Sequence, residues 1–432
     1  MTLIKGSSLI LAGHAIFALA QWAIILILAR LGDAETVGMY SYGLALTAPI
    51  VLFANMGIRQ ALATDARGDF PPEAYMRVRL VTTIVAVSAL VAFAVLVERP
   101  AIAATVAAIA FAKAFEALSD VQQGLFQRHE RMDLVARSLS LRAITGSLSL
   151  GTAFVLTHNV AIAAAAMGLA WLVVWRLHDV TAAHKLRLSE EKVSLRMCWR
   201  LGMLVLPLGA VSMLISLTTN LPRLIIEGEL GAAALGRFAA VVYLTIPATM
   251  AMNAVGQAVA PRLSRLIAAG EIRSFWRLLW SIAGLGVAGA ILLISGAWLF
   301  GPRVMVLLYG ADFDLEMGVL LWVIVGAALS FATTAFGHAM TAARLFWPQL
   351  PLFALTAAAS FGSAIVLVPA YGLVGAAWVM VLCSCVQLTG SFIVLRRGVT
   401  AKPQTPRPER QSFRAALRPD DGPLPTTLQH DS

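Results

Sequence analysis

The chain has 432 residues, of which 59% are hydrophobic and 13% charged, and its formal net charge is +10 at pH 7. Soluble domains are close to half apolar and about a quarter charged, so this composition excludes an ordinary soluble enzyme, a coiled coil and a disordered chain. The length suits about a dozen membrane-spanning helices of about 20 residues each.

Twelve apolar segments follow one another along the chain, and each is long enough to cross a bilayer. Because the bilayer core offers no water, each segment must form its backbone hydrogen bonds internally and is predicted to be a helix. The segments are 8–29, 37–58, 78–97, 101–126, 134–156, 159–178, 201–224, 237–260, 278–300, 315–342, 348–368 and 371–395. The first imitates a secretory signal but continues to Ala29, so we expect an uncleaved helix.

The basic residues indicate the orientation of these helices. The N-terminus, the even-numbered connections and the C-terminal tail hold 26 of the 33 Lys and Arg residues, and the odd-numbered connections hold five. Since basic residues concentrate on the cytoplasmic side, both termini are predicted to be cytoplasmic in a multi-pass membrane protein. This distribution argues against a nucleic-acid partner, because the basicity follows the membrane side.

The second and eighth segments share a spaced pattern at an offset of 198 residues. The matched pairs are Gly38 and Gly236, Pro49 and Pro247, and Asn55 and Asn253. Six helices per half is an even number, so the prediction is two parallel six-helix repeats, as in transporters with alternating access. The predicted units are an N-terminal bundle (1–180), a cytoplasmic linker (181–200), a C-terminal bundle (201–397) and a disordered cytoplasmic tail (398–432).

Two prolines lie in the middle of the matched segments. A mid-helix proline frees a carbonyl and permits a bend, so Pro49 and Pro247 are hinge candidates. The alternative is a pair of tolerated kinks without motion.

Four charged residues are singled out in the fourth and fifth apolar segments. Lys113, Glu116 and Asp120 share one face of the fourth segment, and Arg142 lies in the fifth. Each costs about 2.5–3.5 kcal/mol at a helix centre, so such residues normally face a cavity or one another. They are predicted either to line a hydrophilic cavity or to form structural pairs, Lys113 with Glu116 and Arg142 with Asp120. Their formal charges sum to zero, which favours pairing, and the two interpretations are compatible.

Three further polar residues are binding candidates near the segment ends. Arg59, beside Asn55 at the inner end of the second segment, is placed to meet an anionic headgroup or to act as one more cytoplasmic cation. Arg223, near the outer end of the seventh segment, is a phosphate ligand or, by preference, an interfacial anchor. No catalytic residue, metal site or cofactor is expected.

Several short stretches resemble one known family. They are Leu31–Gly32, Val37–Ser41 with Pro49, Leu118–Asp120, Gly124–Gln127, Leu307–Phe313 and Val368–Ala377. Over residues 1–397 the chain is similar to the polysaccharide and oligosaccharide flippases, the Wzx-like group, of the multidrug/oligosaccharidyl-lipid/polysaccharide exporter superfamily.

The resemblance implies a two-lobed bundle of twelve helices that moves an undecaprenyl-diphosphate-linked saccharide to the outer face of the inner membrane. It implies that cations in a central cavity bind the diphosphate and sugar acids, for which Lys113, Arg142, Arg59 and, less directly, Arg223 are candidates. The implied partners are the lipid-linked oligosaccharide, membrane lipids and other polysaccharide assembly proteins. The zero charge sum of the four intramembrane residues argues against a simple cationic pocket.

Three rival functions remain at this point. A cation-coupled multidrug exporter of the same superfamily should show an uncompensated carboxylate in its cavity. A membrane enzyme acting on lipid-linked sugars should show acids or histidines clustered at one membrane face. A transporter of the major facilitator type would also have parallel halves. For the flippase, Glu116 or Asp120 is a candidate for coupling movement to protons.

Overall fold

A computed structural model describes residues 3–65, 68–186, 193–313, 317–343, 345 and 347–400. These residues form helices joined by short connections, and none of them lies in a strand. Residues 187–192 of the predicted central linker and 401–432 of the predicted tail lie outside the described residues, whereas residues 398–400 belong to the last helix.

The helices, numbered in chain order, include one π-helical segment between α7 and α8. They are α1 (Leu3–Leu31), α2 (Ala34–Asn55), α3 (Ile58–Thr64), α4 (Pro72–Val97), α5 (Pro100–Arg128), α6 (Met132–Thr157), α7 (Val160–Val174), the π-helix (Trp175–Asp179), α8 (Val180–Leu186), α9 (Leu195–Leu230), α10 (Ala232–Leu244), α11 (Ile246–Ala268), α12 (Ile272–Tyr309), α13 (Met317–Ala342) and α14 (Gln349–Thr400).

Ten helices in the described part of the chain are long and apolar enough to cross a membrane, or eleven when the bent pair α10 and α11 counts as one span. The stretch α14 is divided at Gly372, whose φ of 58° and ψ of −137° are not helical. A Cβ placed on Gly390 would lie 2.2 Å from the side chain of Leu352, so the two segments pack antiparallel. The all-helical, multi-pass membrane fold is confirmed, whereas twelve spans and cytoplasmic termini stay predictions.

The eighth predicted segment is not one continuous helix. It is broken at Thr245, where α10 and α11 meet at a bend of 41°. Pro247 is therefore at the start of α11 rather than in mid-helix, because the missing N–H of proline is tolerated in a first turn. Pro49 does lie inside α2, and the break in that half comes later, at Met56 and Gly57, which both have positive φ.

The two ends of the bundle are packed differently. One hydrophobic core draws residues from both halves of the chain, from Ile24 to Trp171 and from Ile226 to Cys383. We call this the closed end; α2 and α10 begin there and α12 ends there. At the opposite end, the split end, one core is formed by residues 58–205 and another by residues 252–399.

Repeat-related glycines meet at the closed end. A Cβ on Gly38 would lie 1.8 Å from the carbonyl oxygen of Ala232, and a Cβ on Gly236 would lie 1.8 Å from that of Ala34. Both pairs obey the offset of 198 residues, so the contact between α2 and α10 is reciprocal. Such a reciprocal contact is typical of two units related by an approximate twofold axis.

Two hydrogen-bonded contacts join α1 to α12 at the same end. The indole N–H of Trp22 donates to the hydroxyl of Tyr309 at 2.9 Å. The guanidinium of Arg30 donates to the carbonyl of Leu308 at 2.6 Å and also to that of Leu307. The closed end is thus held by backbone contact, apolar packing and polar bonds between the halves.

Candidate functional site

The N-terminal half brings six ionised side chains together, and we call them the charged cluster. They are Arg59 on α3, Arg79 on α4, Lys113, Glu116 and Asp120 on α5, and Arg142 on α6. The sequence places the three α5 residues on one helical face, and the break at Met56 and Gly57 lets α3 lie against α5.

Asp120 is the centre of one part of the charged cluster. Its Oδ1 lies 3.3 Å from Nη1 of Arg59, and its Oδ2 lies 3.1 Å from Nη2 of Arg79. Arg79 also donates to Oδ1 of Asn55 at the end of α2. The predicted pairing of Arg142 with Asp120 is wrong, because α3 and α4 supply the two arginines that bind this carboxylate.

Sequence reasoning missed Arg79, which it assigned to a cytoplasmic connection. The Arg79 side chain is 0% exposed, since α4 begins at Pro72 rather than at residue 78. The helical phase of α4 indicates this burial, because Tyr75, Arg79 and Thr83 follow one another at steps of four and are all buried on the same face.

Lys113 and Glu116 form the pair that the sequence predicts. Nζ of Lys113 lies 2.6 Å from Oε2 of Glu116, and both side chains are partly exposed, at 21% and 27%. Nζ also lies 6.0 Å from the ring centroid of Trp171. The pair is open to the surroundings rather than sealed in the core.

Arg142 has a different environment from the other cations. The residue is 3% exposed, and its guanidinium lies 5.3 Å from the ring centroid of Phe17. Within the described part of the chain, its Nε and Nη1 atoms have no hydrogen-bond partner. A buried guanidinium with free donors is suited to receive an anionic oxygen, because a desolvated charge without a partner is costly.

The charged cluster as a whole is cationic. It contains four cations and two carboxylates, which leaves a formal charge of +2. The zero sum expected from the sequence counted Lys113, Glu116, Asp120 and Arg142 alone and omitted Arg59 and Arg79. An excess of positive charge inside a membrane bundle favours an anionic ligand over a cationic one.

Hydrogen bonds to Asp65 connect the end of α3, which carries Arg59, to the beginning of α4, which carries Arg79. Asp65 accepts hydrogen bonds from the backbone N–H groups of Gly68 at 2.9 Å and Asp69 at 3.0 Å, and from the hydroxyl of Tyr75 at 3.2 Å. Partial burial by itself raises the pKa of Asp65, but the bonds from Asp69, Phe70 and Tyr75 and the nearby Arg128 hold it below its ordinary value. The described part of this connection is therefore held by an ionised carboxylate.

Arg223 lies apart from the charged cluster, in a cavity of the C-terminal half. The cavity has a volume of about 480 Å³ and is bounded by α9, α10, α11, α13 and α14. Its described lining includes one charged side chain, Arg223, together with Tyr243, Gln387 and several Ser and Thr residues. The only acceptor shown for Arg223 among described residues is Oδ1 of Asn220, at 3.5 Å.

No group of three or more His, Cys, Asp or Glu side chains in the described part of the chain is placed to hold a metal ion. The structure thus brings Asn55, Arg59, Lys113, Glu116, Asp120 and Arg142 into one region and separates Arg223 from it. Chemically, the region can bind an anion, and the C-terminal cavity offers hydroxyl, amide and aromatic groups.

Three comparisons relate this architecture to known proteins. The family of polysaccharide biosynthesis proteins matches residues 3–267. The capsular polysaccharide biosynthesis protein CapF of Staphylococcus aureus is 22% identical over 398 residues, which cover 91% of this chain and 100% of CapF.

Solved transporter structures share the fold. The lipid II flippase MurJ in an inward closed conformation aligns with a TM-score of 0.71 at 9% identity, covering 92% of this chain and 89% of MurJ. An inward-facing multidrug resistance transporter of the MATE family in the MOP superfamily aligns with a TM-score of 0.69 at 13% identity, covering 89% of this chain and 95% of that one. These structural neighbours are transporters rather than enzymes.

Proposed function

The chain belongs to the family of polysaccharide biosynthesis proteins, and from this membership we propose that it flips a polyprenyl-diphosphate-linked oligosaccharide across the cell inner membrane. Such a substrate has a dianionic or more highly charged diphosphate between an apolar tail and a hydrophilic saccharide. A protein that moves it must accept negative charge within the bilayer while the tail stays in apolar surroundings.

The excess positive charge of the charged cluster is the observation that carries this proposal. Arg142 supplies a buried guanidinium with free donors. The Lys113–Glu116 and Arg59–Asp120 pairs are partly exposed, so a diphosphate oxygen can compete for their cations. Arginine binds phosphate through parallel N–H donors, which makes Arg142 the first ligand we assign to the diphosphate.

The difference between the closed and split ends supports alternating access. If the closed end faces outward, as the distribution of basic residues predicts, this conformation opens to the cytoplasm. Transport then requires the closed end to separate and the split end to close. Pro49 in α2 and Pro247 after the bend at Thr245 are the proposed hinges.

The C-terminal cavity is the proposed place for part of the saccharide. Its hydroxyl and amide side chains match the hydrogen-bonding groups of sugars, and Tyr243 offers an aromatic surface. Arg223 adds one cation for an acidic sugar or for the diphosphate during release. Membrane lipids and other polysaccharide assembly proteins are the proposed partners.

A multidrug exporter is the competing function, because the MATE transporters share this fold. Export of organic cations requires a carboxylate that is free to bind them. Both carboxylates of the charged cluster lie within 4 Å of a Lys or Arg nitrogen, and the cluster has excess positive charge. These contacts favour an anionic substrate.

Reconstitution of the full-length protein tests the proposal. Proteoliposomes would contain an undecaprenyl-diphosphate-linked disaccharide with a fluorescent label on the sugar, and a membrane-impermeant quencher would report which leaflet holds it. We expect protein-dependent movement between leaflets, with little transport of ethidium as a representative organic cation. Ethidium transport without lipid movement would favour the exporter and contradict the flippase.

A further inference from the structure

An apolar groove lies between α4 and α9 at the split end of the bundle. It has a volume of about 830 Å³, and its walls include Val78 and Val81 on α4 and Trp199, Met203 and Leu206 on α9. Val81, Trp199 and Met203 are 60%, 71% and 52% exposed. The groove is thus a large concave surface that faces the surroundings of the bundle.

The groove and the charged cluster share their wall. Met56, which lines the groove, follows Asn55 in the chain, and Val78, which also lines it, precedes Arg79. Asn55 and Arg79 bind each other, and Arg79 binds Asp120. The wall of the groove therefore contains the chain neighbours of Asn55 and Arg79.

Two arginines mark the polar rim of the groove. Arg77 and Arg196 both contribute to its lining, and Nη1 of Arg77 donates to the carbonyl of Val193 at 3.0 Å. Basic residues beside an apolar surface are typical of the level at which lipid phosphates lie. The groove thus matches the layout of an anionic lipid, because its apolar walls suit the chain and the cations at one end suit the phosphate.

We propose that this groove holds the isoprenoid chain of the lipid-linked substrate while its diphosphate engages the charged cluster. This inference rests on the proposed function and adds to it the path of the tail. A polyprenyl diphosphate is chosen over a bilayer phospholipid because the charged cluster, with its excess positive charge, adjoins the wall of the groove in addition to the two rim arginines. A zwitterionic phospholipid would need only the two rim arginines.

Gly202 allows the groove to be filled without disturbing the backbone. It lines the groove on α9, and a Cβ placed on it meets no other atom within 4 Å. Gly202→Trp would put an indole in the space assigned to the isoprenoid chain. Gly284 on α12 is the matched control, since it lines another apolar groove, of about 690 Å³, and is equally open.

The test measures flipping of two substrates that differ only in the lipid, an undecaprenyl-diphosphate-linked and a geranyl-diphosphate-linked disaccharide. In Gly202→Trp we expect the flipping rate of the undecaprenyl substrate to fall about tenfold. The filled groove no longer binds the tail, and this loss of binding slows capture of the substrate. The short-chain substrate should move at the wild-type rate, and Gly284→Trp should change neither rate. The groove assignment would be overturned if Gly202→Trp moved the undecaprenyl substrate as fast as Gly284→Trp does. It would also be overturned if Gly202→Trp slowed both substrates by the same factor.

Photo-crosslinking provides a readout that does not depend on transport. Undecaprenyl diphosphate with a diazirine in its chain should label peptides from α4 and α9 in the wild-type protein, and Gly202→Trp should lower this labelling. Labelling that a modest excess of phosphatidylethanolamine abolishes would overturn the assignment in favour of ordinary bilayer lipid. Wild-type protein that moves neither disaccharide yet is labelled on α4 and α9 would contradict the proposed function while leaving the groove assignment supported.

Discussion

The two halves share a helical pattern but have different interiors. The N-terminal half places six ionised side chains around α5, whereas the described lining of the C-terminal cavity has Arg223 as its single charge, among hydroxyl groups. At the split end, the C-terminal half instead packs aromatic residues against one another, including Trp276, Trp280 and Phe392. Under the proposed function, we therefore expect the N-terminal half to recognise charge and the C-terminal half to recognise shape and hydroxyl groups.

The largest effect is expected from Asp120→Asn, which removes the carboxylate shared by Arg59 and Arg79. Breaking a buried ion pair by removing one partner costs on the order of 3–5 kcal/mol, and because Asp120 is 27% exposed we expect the lower end of this range. The fully buried Arg79 would keep its charge without an anion. We expect a large drop in the melting temperature of the purified protein, measured by scanning fluorimetry in detergent.

A second substitution sharpens this prediction. Arg79→Gln in the Asp120→Asn background removes the uncompensated charge and keeps a donor for Asn55, so part of the lost stability should return. If Asp120→Asn alone were as stable as the wild type, the charged cluster would not be a paired network in the folded protein.

Arg142→Met should lower the flipping rate without lowering the stability of the protein. Its guanidinium is buried with free donors, so an apolar side chain of similar length should leave the melting temperature unchanged or raise it. Flipping should fall by at least about tenfold, because a hydrogen bond to a charged group contributes about 1.5–3 kcal/mol.

Lys113→Met is the control within the same half. It leaves Glu116 without its cation, so it should lower the melting temperature as well as the flipping rate. An Arg142→Met protein that transports at the wild-type rate would remove Arg142 from the proposed diphosphate site.

The closed end is where the two halves should behave alike. Gly38→Ala and Gly236→Ala each drive a methyl group into a backbone carbonyl of the other half, and overpacking of this kind typically costs about 1–3 kcal/mol. We expect similar losses of melting temperature in both variants. Gly228→Ala on α9 is the control, since a Cβ there meets no atom within 4 Å. Unequal losses at Gly38 and Gly236 would contradict the symmetric contact.

The smallest effect is expected from Arg223→Gln in the C-terminal cavity. Loss of one partly exposed cation among hydroxyl groups should reduce flipping by a few fold, corresponding to about 1 kcal/mol. Rates for an acidic and a neutral disaccharide, measured side by side, would show whether the loss depends on sugar charge. A loss as large as that of Arg142→Met would mean that charge recognition is divided equally between the halves.

The sequence predicted the helical membrane fold and the Lys113–Glu116 pair because both follow from local rules, apolar length and a spacing of three residues. It did not predict which arginines bind Asp120, since that depends on how α3 and α4 pack against α5. The number of charges per segment places Arg79 in a connection, because such a count does not include the helical phase that buries the side chain. The break at Thr245 was missed because Pro247 is compatible with either a kink or a helix start.

The path of α9 has a consequence for any attempt to produce the halves as separate fragments. Leu201 and Val205, near its beginning, pack in the core formed by residues 58–205, whereas Ile226, near its end, packs in the core that joins both halves. A gene divided before Ser194 would therefore give an N-terminal fragment lacking part of its own interior. Two co-expressed fragments should assemble into a functional protein more efficiently when the N-terminal fragment extends through Gly209. The first turns of α9 then belong to the same fragment as the helices against which they pack.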